Sequence, residues 1–192
     1  MDTKQFLIFL GKIEKLKSNT RHSYTADGTH EVVASHTWRL AVMAMLLERE
    51  FPALDMDKVI RMCLIHDWGE AVTGDIPSFD KTKEHEDIET QAVEGLIRTL
   101  PKELYQDMAV LFEEMDALET PEARFYKALD KLEAVISHNE SDISTWIPIE
   151  YDLQMTAATE EVKGFPFLEQ LREQMKQDTK EKIAKAGTQH AD

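Results

Sequence analysis

The chain has 192 residues, with 37 Asp or Glu against 22 Lys or Arg and a formal net charge of −15. So acidic a chain offers neither the broad basic footprint that holds polymeric nucleic acid nor the cationic bias that holds an anionic membrane. The composition, 42% hydrophobic and 31% charged, is that of a folded globular chain.

Helical periodicity runs through nearly the whole sequence, and with only 7 Gly and 6 Pro the breaks are few. Phe6, Phe9, Leu10, Ile13 and Leu16 recur at three- and four-residue steps and predict an amphipathic helix over 3–17. Residues 18–30 read as a loop, with Asp27-Gly28 a turn signal. A second helix is expected over 31–50, and its apolar-all-round stretch 40–47 reads as a central, buried helix. Pro52 ends it, and Asp55 caps a third helix reaching 69 or 71. Gly74-Asp75-Ile76-Pro77 cannot continue that helix. A fourth helix follows over 84–99 and a fifth over 101–118. Thr120-Pro121 supplies a cap and a first-turn proline for a sixth, to 139. Two more are expected over 149–161 and 166–186. These elements predict an all-α fold, one compact helical bundle over 1–187, with 188–192 a frayed tail.

An amphipathic helix presents apolar side chains along its buried stripe, and a polar exception there must have a partner. His36 is such an exception among Val33, Leu40, Met43 and Leu47. Taken alone, it fits a hydrogen-bonded core histidine. On the third helix His66 and Glu70 stand one turn apart beside Asp67. Two acids at the negative end of a helix dipole are unfavourable unless something cationic is near. On the sixth helix Asp130 lies off the stripe Phe125, Leu129, Leu132 and Ile136, and fits a solvated residue as well as a functional one. Together His36, His66, Asp67 and Asp130 form a nitrogen–oxygen set suited to one divalent transition ion (Co, Mn, Zn, Fe or Ni) and unsuited to calcium.

In their order and local contexts these residues resemble the HD-domain metal-dependent phosphohydrolases, and within them the 5′-deoxynucleotidase branch. Residues 31–39, EVVASHTWR, look like that branch's E-x-V-A-E-H-S/T segment, with Ser35 where an acid is usual. Residues 66–77, HDWGEAVTGDIP, look like H-D-x-x-E-x-x-x-G-D-[IL]-P, and 127–133, KALDKLE, look like its K-x-x-D helix. Arg21, fifteen residues before His36, sits where the branch places an arginine. The resemblance covers residues 5–185. It implies the HD-domain helical fold and hydrolysis of (deoxy)nucleoside 5′-monophosphates to nucleoside and phosphate. His36, His66, Asp67 and Asp130 would hold the metal. Glu70 would orient or deprotonate the attacking water. Asp75 would face the sugar side or the leaving oxygen, and Arg21 would grip the phosphate. His22 stands where well-known members carry a tryptophan linked to sugar selection, so it is the sugar-side candidate. Ser35 alters the surroundings expected of His36. The resemblance also implies a homodimer.

The remaining signals have plain readings. His30, His138 and His190 are expected to be solvated. His85 alone lies between the His66-Asp67 doublet and Asp130, whereas two-metal HD proteins carry two histidines there, so a single metal is expected. The methionines read as core filler and Cys63 as a small packed hydrophobe. The acidic runs 84–94 and 113–119 read as solvated helix faces. With one cysteine, no basic-then-apolar leader at the start and no apolar run longer than 41–47, the chain is expected to be cytoplasmic and free of membrane contact. Rival functions are another HD hydrolase, acting on a di- or triphosphate or a phosphodiester, and a non-catalytic nucleotide sensor. Retention of Glu70 and Asp75 speaks against the sensor. The scarcity of basic residues beside the motifs, Lys81 and Lys83 apart, speaks against long phosphate tails.

Overall fold

A computed structural model describes residues 1–189; His190, and with it most of the expected tail, lies outside the described residues. Helix α1 (Thr3–Ile13) passes through a 3-10 turn (Glu14–Lys17) into a small antiparallel hairpin, β1 (Thr20–Tyr24) and β2 (His30–Val32). Then come α2 (Val33–Leu47), α3 (Met56–Ile65), the short α4 (Glu70–Thr73), α5 (Lys83–Ile97), α6 (Lys102–Ala117), α7 (Pro121–Glu140), α8 (Pro148–Thr156) and α9 (Pro166–Gln189). The predicted helical fold is borne out, apart from that two-stranded sheet. None of the described helices is long and apolar enough to cross a membrane.

Helix α7 is the axis of the core. Thr120 accepts the Ala123 N–H and Pro121 occupies the first turn, which starts the helix where the sequence predicts. Its stripe of Phe125, Leu129 and Leu132 is fully buried against α2, α3, α6 and α9. Phe125 packs between Phe51 and Phe165, with ring centroids 4.7 and 5.0 Å away. The helix is buried on a second side as well, through Ala123, Tyr126, Glu133 and Ser137. That second side carries the polar groups described below.

Four expectations need correction. Residues 18–30 are not a plain loop. Gly28, at φ 85°, turns the hairpin, and the Asp27 carboxylate collects the Thr25 and Thr29 hydroxyls. The strand alternation was hidden because its most buried positions, Ser23 and Glu31, are polar. Second, α2 is not buried all round. Val33, His36, Leu40, Ala44 and Leu47 face the core, while Trp38 (64% exposed), Met45 and Leu46 (72%) leave an open apolar face. Third, the helix after Asp55 does not run through to 69. The backbone tightens after Ile65, with Trp68 and Glu70 donating to carbonyls three residues back, before α4 begins. Fourth, α8 ends at Thr156, because Ala158 (φ 63°) and Gly164 (φ 86°) turn the chain. The Arg172 guanidinium closes that end by donating to the Gln154 and Ala157 carbonyls.

Candidate active site

Five parts of the chain meet at a cavity of about 1450 Å³, which their site residues line except for the fully buried His36. The hairpin brings Arg21 and His22, α2 brings His36, and the α3–α4 turn brings His66 and Asp67. Helix α4 and the turn after it bring Glu70 and Asp75, with Gly74 at φ 78° sending the chain back toward the site. Helix α7 brings Asp130.

The two imidazoles show what the cluster is built to hold. The Nδ1 of His36 donates to Glu133 Oε2 at 2.5 Å, and the Nδ1 of His66 donates to the Cys63 carbonyl at 2.9 Å. With both Nδ1 positions so committed, each Nε2 is left to bind a metal ion or, without one, a proton. Both Nε2 atoms are buried without a hydrogen-bond partner. That of His36 lies 3.3 Å from Asp130 Oδ1 and 3.9 Å from Asp67 Oδ2; that of His66 lies 3.1 Å from Asp67 Oδ2 and 3.7 Å from Asp130 Oδ1. Two orphaned nitrogen atoms and two carboxylate oxygens converging on one point fit a divalent transition ion. Asp130 is not solvated. Its Oδ2 takes the Lys127 ammonium at 2.8 Å, which leaves Oδ1 for the cluster.

The electrostatics agree. Burial and Arg21 oppose charge on His36, yet Asp130 and Glu133 outweigh them and push its pKa up to about 10. Asp67 is held well below the usual carboxylate range by His66 and His36 despite its burial. Asp130 is held down by Lys127 and His36, also against burial. The cluster therefore draws a cation into its centre, a proton when nothing better is present.

Glu70 is buried, and its Oε2 has no partner. Burial, then Asp67, Asp75 and Glu89, push its pKa up to about 9. Burial likewise raises Asp75, against the pull of Arg21, and the His22 backbone N–H hydrogen-bonds to its carboxylate. Arg21 is not a fully free fork. One guanidinium nitrogen, Nη1, is held by Glu31 at 2.8 Å and by Glu133 at 3.5 Å. Burial opposes its charge, but Glu133, Glu31, Asp67 and Asp130 keep it firmly protonated. His22 lies between Phe79, edge-on at 5.4 Å, and His138 at 6.5 Å, with its Nε2 3.1 Å from Glu150 Oε1.

Sequence reasoning missed several residues. Glu133, which fixes His36, and Glu31, which fixes Arg21, stood inside the quoted segments but were given no role. For Glu133 the available signal was a glutamate beside the apolar stripe Phe125, Leu129, Leu132 and Ile136. His138 is not solvated: its Nε2 sits 2.5 Å from Glu150 on the cavity wall. Glu89, expected on a solvated face, packs into the site against Lys81. The plain reading of Cys63 as a packed hydrophobe holds. His85 forms the reciprocal cap of α5 with Thr82, and Cys63 is buried. His30 is exposed and lies against Tyr24. The Ser35 hydroxyl donates to the Val32 carbonyl rather than to anything on His36.

Comparison with known proteins gives a consistent picture. Residues 13–182 match the HD domain family model. The chain is 31% identical to 5′-deoxynucleotidase HDDC2 of Homo sapiens, over 71% of this chain and 66% of that protein. It is 32% identical to 5′-deoxynucleotidase HDDC2 of Dictyostelium discoideum, over 70% of this chain and 76% of that one. The match thus spans just under two thirds of the human relative's length. Among solved structures it resembles a predicted metal-dependent phosphohydrolase from Magnetospirillum magnetotacticum MS-1, with TM-score 0.78 and 29% identity over 95% of this chain and 93% of that one.

Proposed function

The chain belongs to the HD domain family, and from that premise we propose that it is a metal-dependent phosphomonoesterase, hydrolysing (deoxy)nucleoside 5′-monophosphates to nucleoside and phosphate. The observation that carries this reading is the convergence of the orphaned Nε2 atoms of His36 and His66 with Asp67 and Asp130 at the wall of a cavity. The activity for which the deoxynucleotidase relatives are named supports the substrate class.

His36, His66, Asp67 and Asp130 would hold one divalent transition ion: Co, Mn, Zn, Fe or Ni. When bound, such an ion supplies positive charge to a phosphate oxygen and lowers the pKa of water. The chain's own residues do the rest. Glu70, buried beside Asp67, would orient the attacking water or, once a bound ion's charge favours its ionised form over the protonated one that burial and Asp67 favour in the ion-free fold, take its proton. Asp75, raised toward its protonated form, would face the sugar side or the leaving oxygen, which must gain a proton as its bond to phosphorus breaks. Arg21 turns the remaining guanidinium edge to the phosphate, its orientation set by Glu31 and Glu133. His22 stands on the sugar side, one residue from Arg21. Positioning and charge neutralisation are what phosphoryl transfer chiefly requires.

The test is phosphate release by dialysed protein supplied with each metal, over ribo- and deoxynucleoside 5′-monophosphates, di- and triphosphates and a phosphodiester. Release from monophosphates is expected; release only from the longer or diester substrates overturns the reading. Glu70→Ala is expected to retain the ion and lose about 10²–10⁴-fold in turnover, and full activity in that variant would remove Glu70 from its role. The open apolar face of α2, with Trp38, Met45 and Leu46, supports a homodimer, which light scattering on the eluted protein checks. The acidic, single-cysteine composition supports a cytoplasmic setting.

A further inference from the structure

Beside its charged groups the cavity has an apolar strip. Ile76, Pro77 and Phe79, on the loop after Gly74, line it together with Arg21 and Asp75. Phe79 is half-buried, yet it belongs to neither of the buried apolar clusters. Among the described residues its ring contact is with His22, 5.4 Å between centroids and 88° between planes. An edge-on contact of this kind uses at most one of the two faces of the phenyl ring. The other is left to meet whatever enters the cavity.

The place of that ring is fixed by the loop. Gly74, at φ 78°, turns the chain back toward the site. The His22 backbone N–H hydrogen-bonds to the Asp75 carboxylate, which ties the loop to β1, the strand that carries Arg21. The Asp80 N–H donates to the Pro77 carbonyl at 2.9 Å, and Phe79 stands inside that turn. Arg21, His22 and Phe79 thus follow one another as a cation, an imidazole and a phenyl ring. A nucleotide is laid out in a matching order of phosphate, sugar and base. Its base is flat and apolar on both faces, and an aromatic side chain is the surface on which it stacks. The carboxylate-rich wall offers no such surface.

We propose that Phe79 is the nucleobase platform of the site: with the phosphate at Arg21 and the sugar beside His22, the base stacks on the open face of the phenyl ring. The proposal rests on the reading of the chain as a nucleoside-monophosphate phosphatase, and it makes Phe79 a determinant of which phosphomonoesters are accepted. A monoester without a base forgoes the contact. A purine covers more of the ring than a pyrimidine, so purine nucleotides depend on it more.

The experiment compares deoxyadenosine 5′-monophosphate, deoxycytidine 5′-monophosphate and 2-deoxyribose 5-phosphate as substrates of the metal-loaded protein and of its Phe79→Ala, Phe79→Leu and Phe79→Tyr variants. In Phe79→Ala the preference in kcat/KM for the deoxyadenosine nucleotide over the base-free sugar phosphate should fall about 10-fold or more. The loss should sit in KM rather than kcat, because the base is held alike before and during the breaking of the phosphorus bond. The deoxycytidine nucleotide should lose less. Phe79→Leu, which keeps an apolar side chain and guards against a folding defect, should show the same loss, and Phe79→Tyr should restore the preference. A preference that survives both Phe79→Ala and Phe79→Leu overturns the proposal, as does a loss that Phe79→Tyr leaves in place. Calorimetric binding of deoxyadenosine, which carries no phosphate, separates the two readings. Its affinity should weaken by a similar factor in Phe79→Leu; equal affinity there, or no binding by the unaltered protein, overturns the platform. Phosphate release from none of the three substrates would instead overturn the phosphatase reading, while the calorimetry still decides the platform.

Discussion

Two pairs of histidines stand around one cavity, lined by His22, His66 and His138 with His36 fully buried beside them, and they are held differently. His36 and His66 donate their Nδ1 protons to Glu133 and to the Cys63 carbonyl, so their Nε2 atoms, which have no hydrogen-bond partner, meet between Asp67 and Asp130. His138 instead sets its Nε2 on Glu150 Oε1 at 2.5 Å, and the other oxygen of that carboxylate caps α8 through the Ile147 N–H, while His22, whose buried Nε2 also has no hydrogen-bond partner, lies 3.1 Å from the same Oε1. The first pair is open at its centre, while in the second His138 is closed on a carboxylate. An imidazole's neighbours at one nitrogen thus decide what the other can bind.

The sharpest break between the pairs should come from truncation. His66→Ala is expected to abolish both ion retention and turnover. His138→Ala should retain the ion, as read by metal content after gel filtration. Equal metal loss in the two variants would erase the distinction. Next in size, Glu133→Gln should weaken ion binding about 10–100-fold by releasing the His36 Nδ1 proton, measured by competition with a chelator. Glu150→Gln should leave that affinity unchanged.

Acidity offers a third contrast. The pKa of His36 in the ion-free fold, about 10, lies above its unfolded value of roughly 6.5. Its protonation therefore stabilises the ion-free protein fully below about pH 6.5, and that contribution disappears as pH rises through about 10. Thermal melts of dialysed protein should fall over this window. Melts with metal present should not, because the ion replaces the proton. A flat profile for the dialysed protein would show that His36 holds no such proton. The smallest effect belongs to Glu150→Gln, which weakens the α8 cap and its partnership with His138. About 1 kcal/mol is expected, seen as a fall of roughly 2–4 °C in Tm.

Much of this was legible in the chain, and the part that was not has a common cause. Thr120-Pro121, Asp55 and Gly74 act within a few residues of themselves, so the helix starts and the turn toward Asp75 could be read locally. The off-stripe position of Asp130 left two readings open, because a helix pattern shows which face a residue occupies and not what lies opposite. The hairpin was missed because its buried alternate positions are polar, which erases the period-two signal. Glu89 looked solvated because only the approach of α5 to Gly69 makes it part of the site.

By itself, then, the sequence determined the helical class, most element boundaries, the residue types of the ligand set and the resemblance to its family. These follow from periodicity, capping and motif spacing, which are short-range properties of a chain. The tertiary structure alone decided that Glu133 orients His36 from 97 residues away, that Glu31 and Glu133 hold Arg21, and that His138 closes on Glu150. Such pairings depend on how helices cross. Burial makes them obligatory for polar groups, but nothing in the local pattern names the partner.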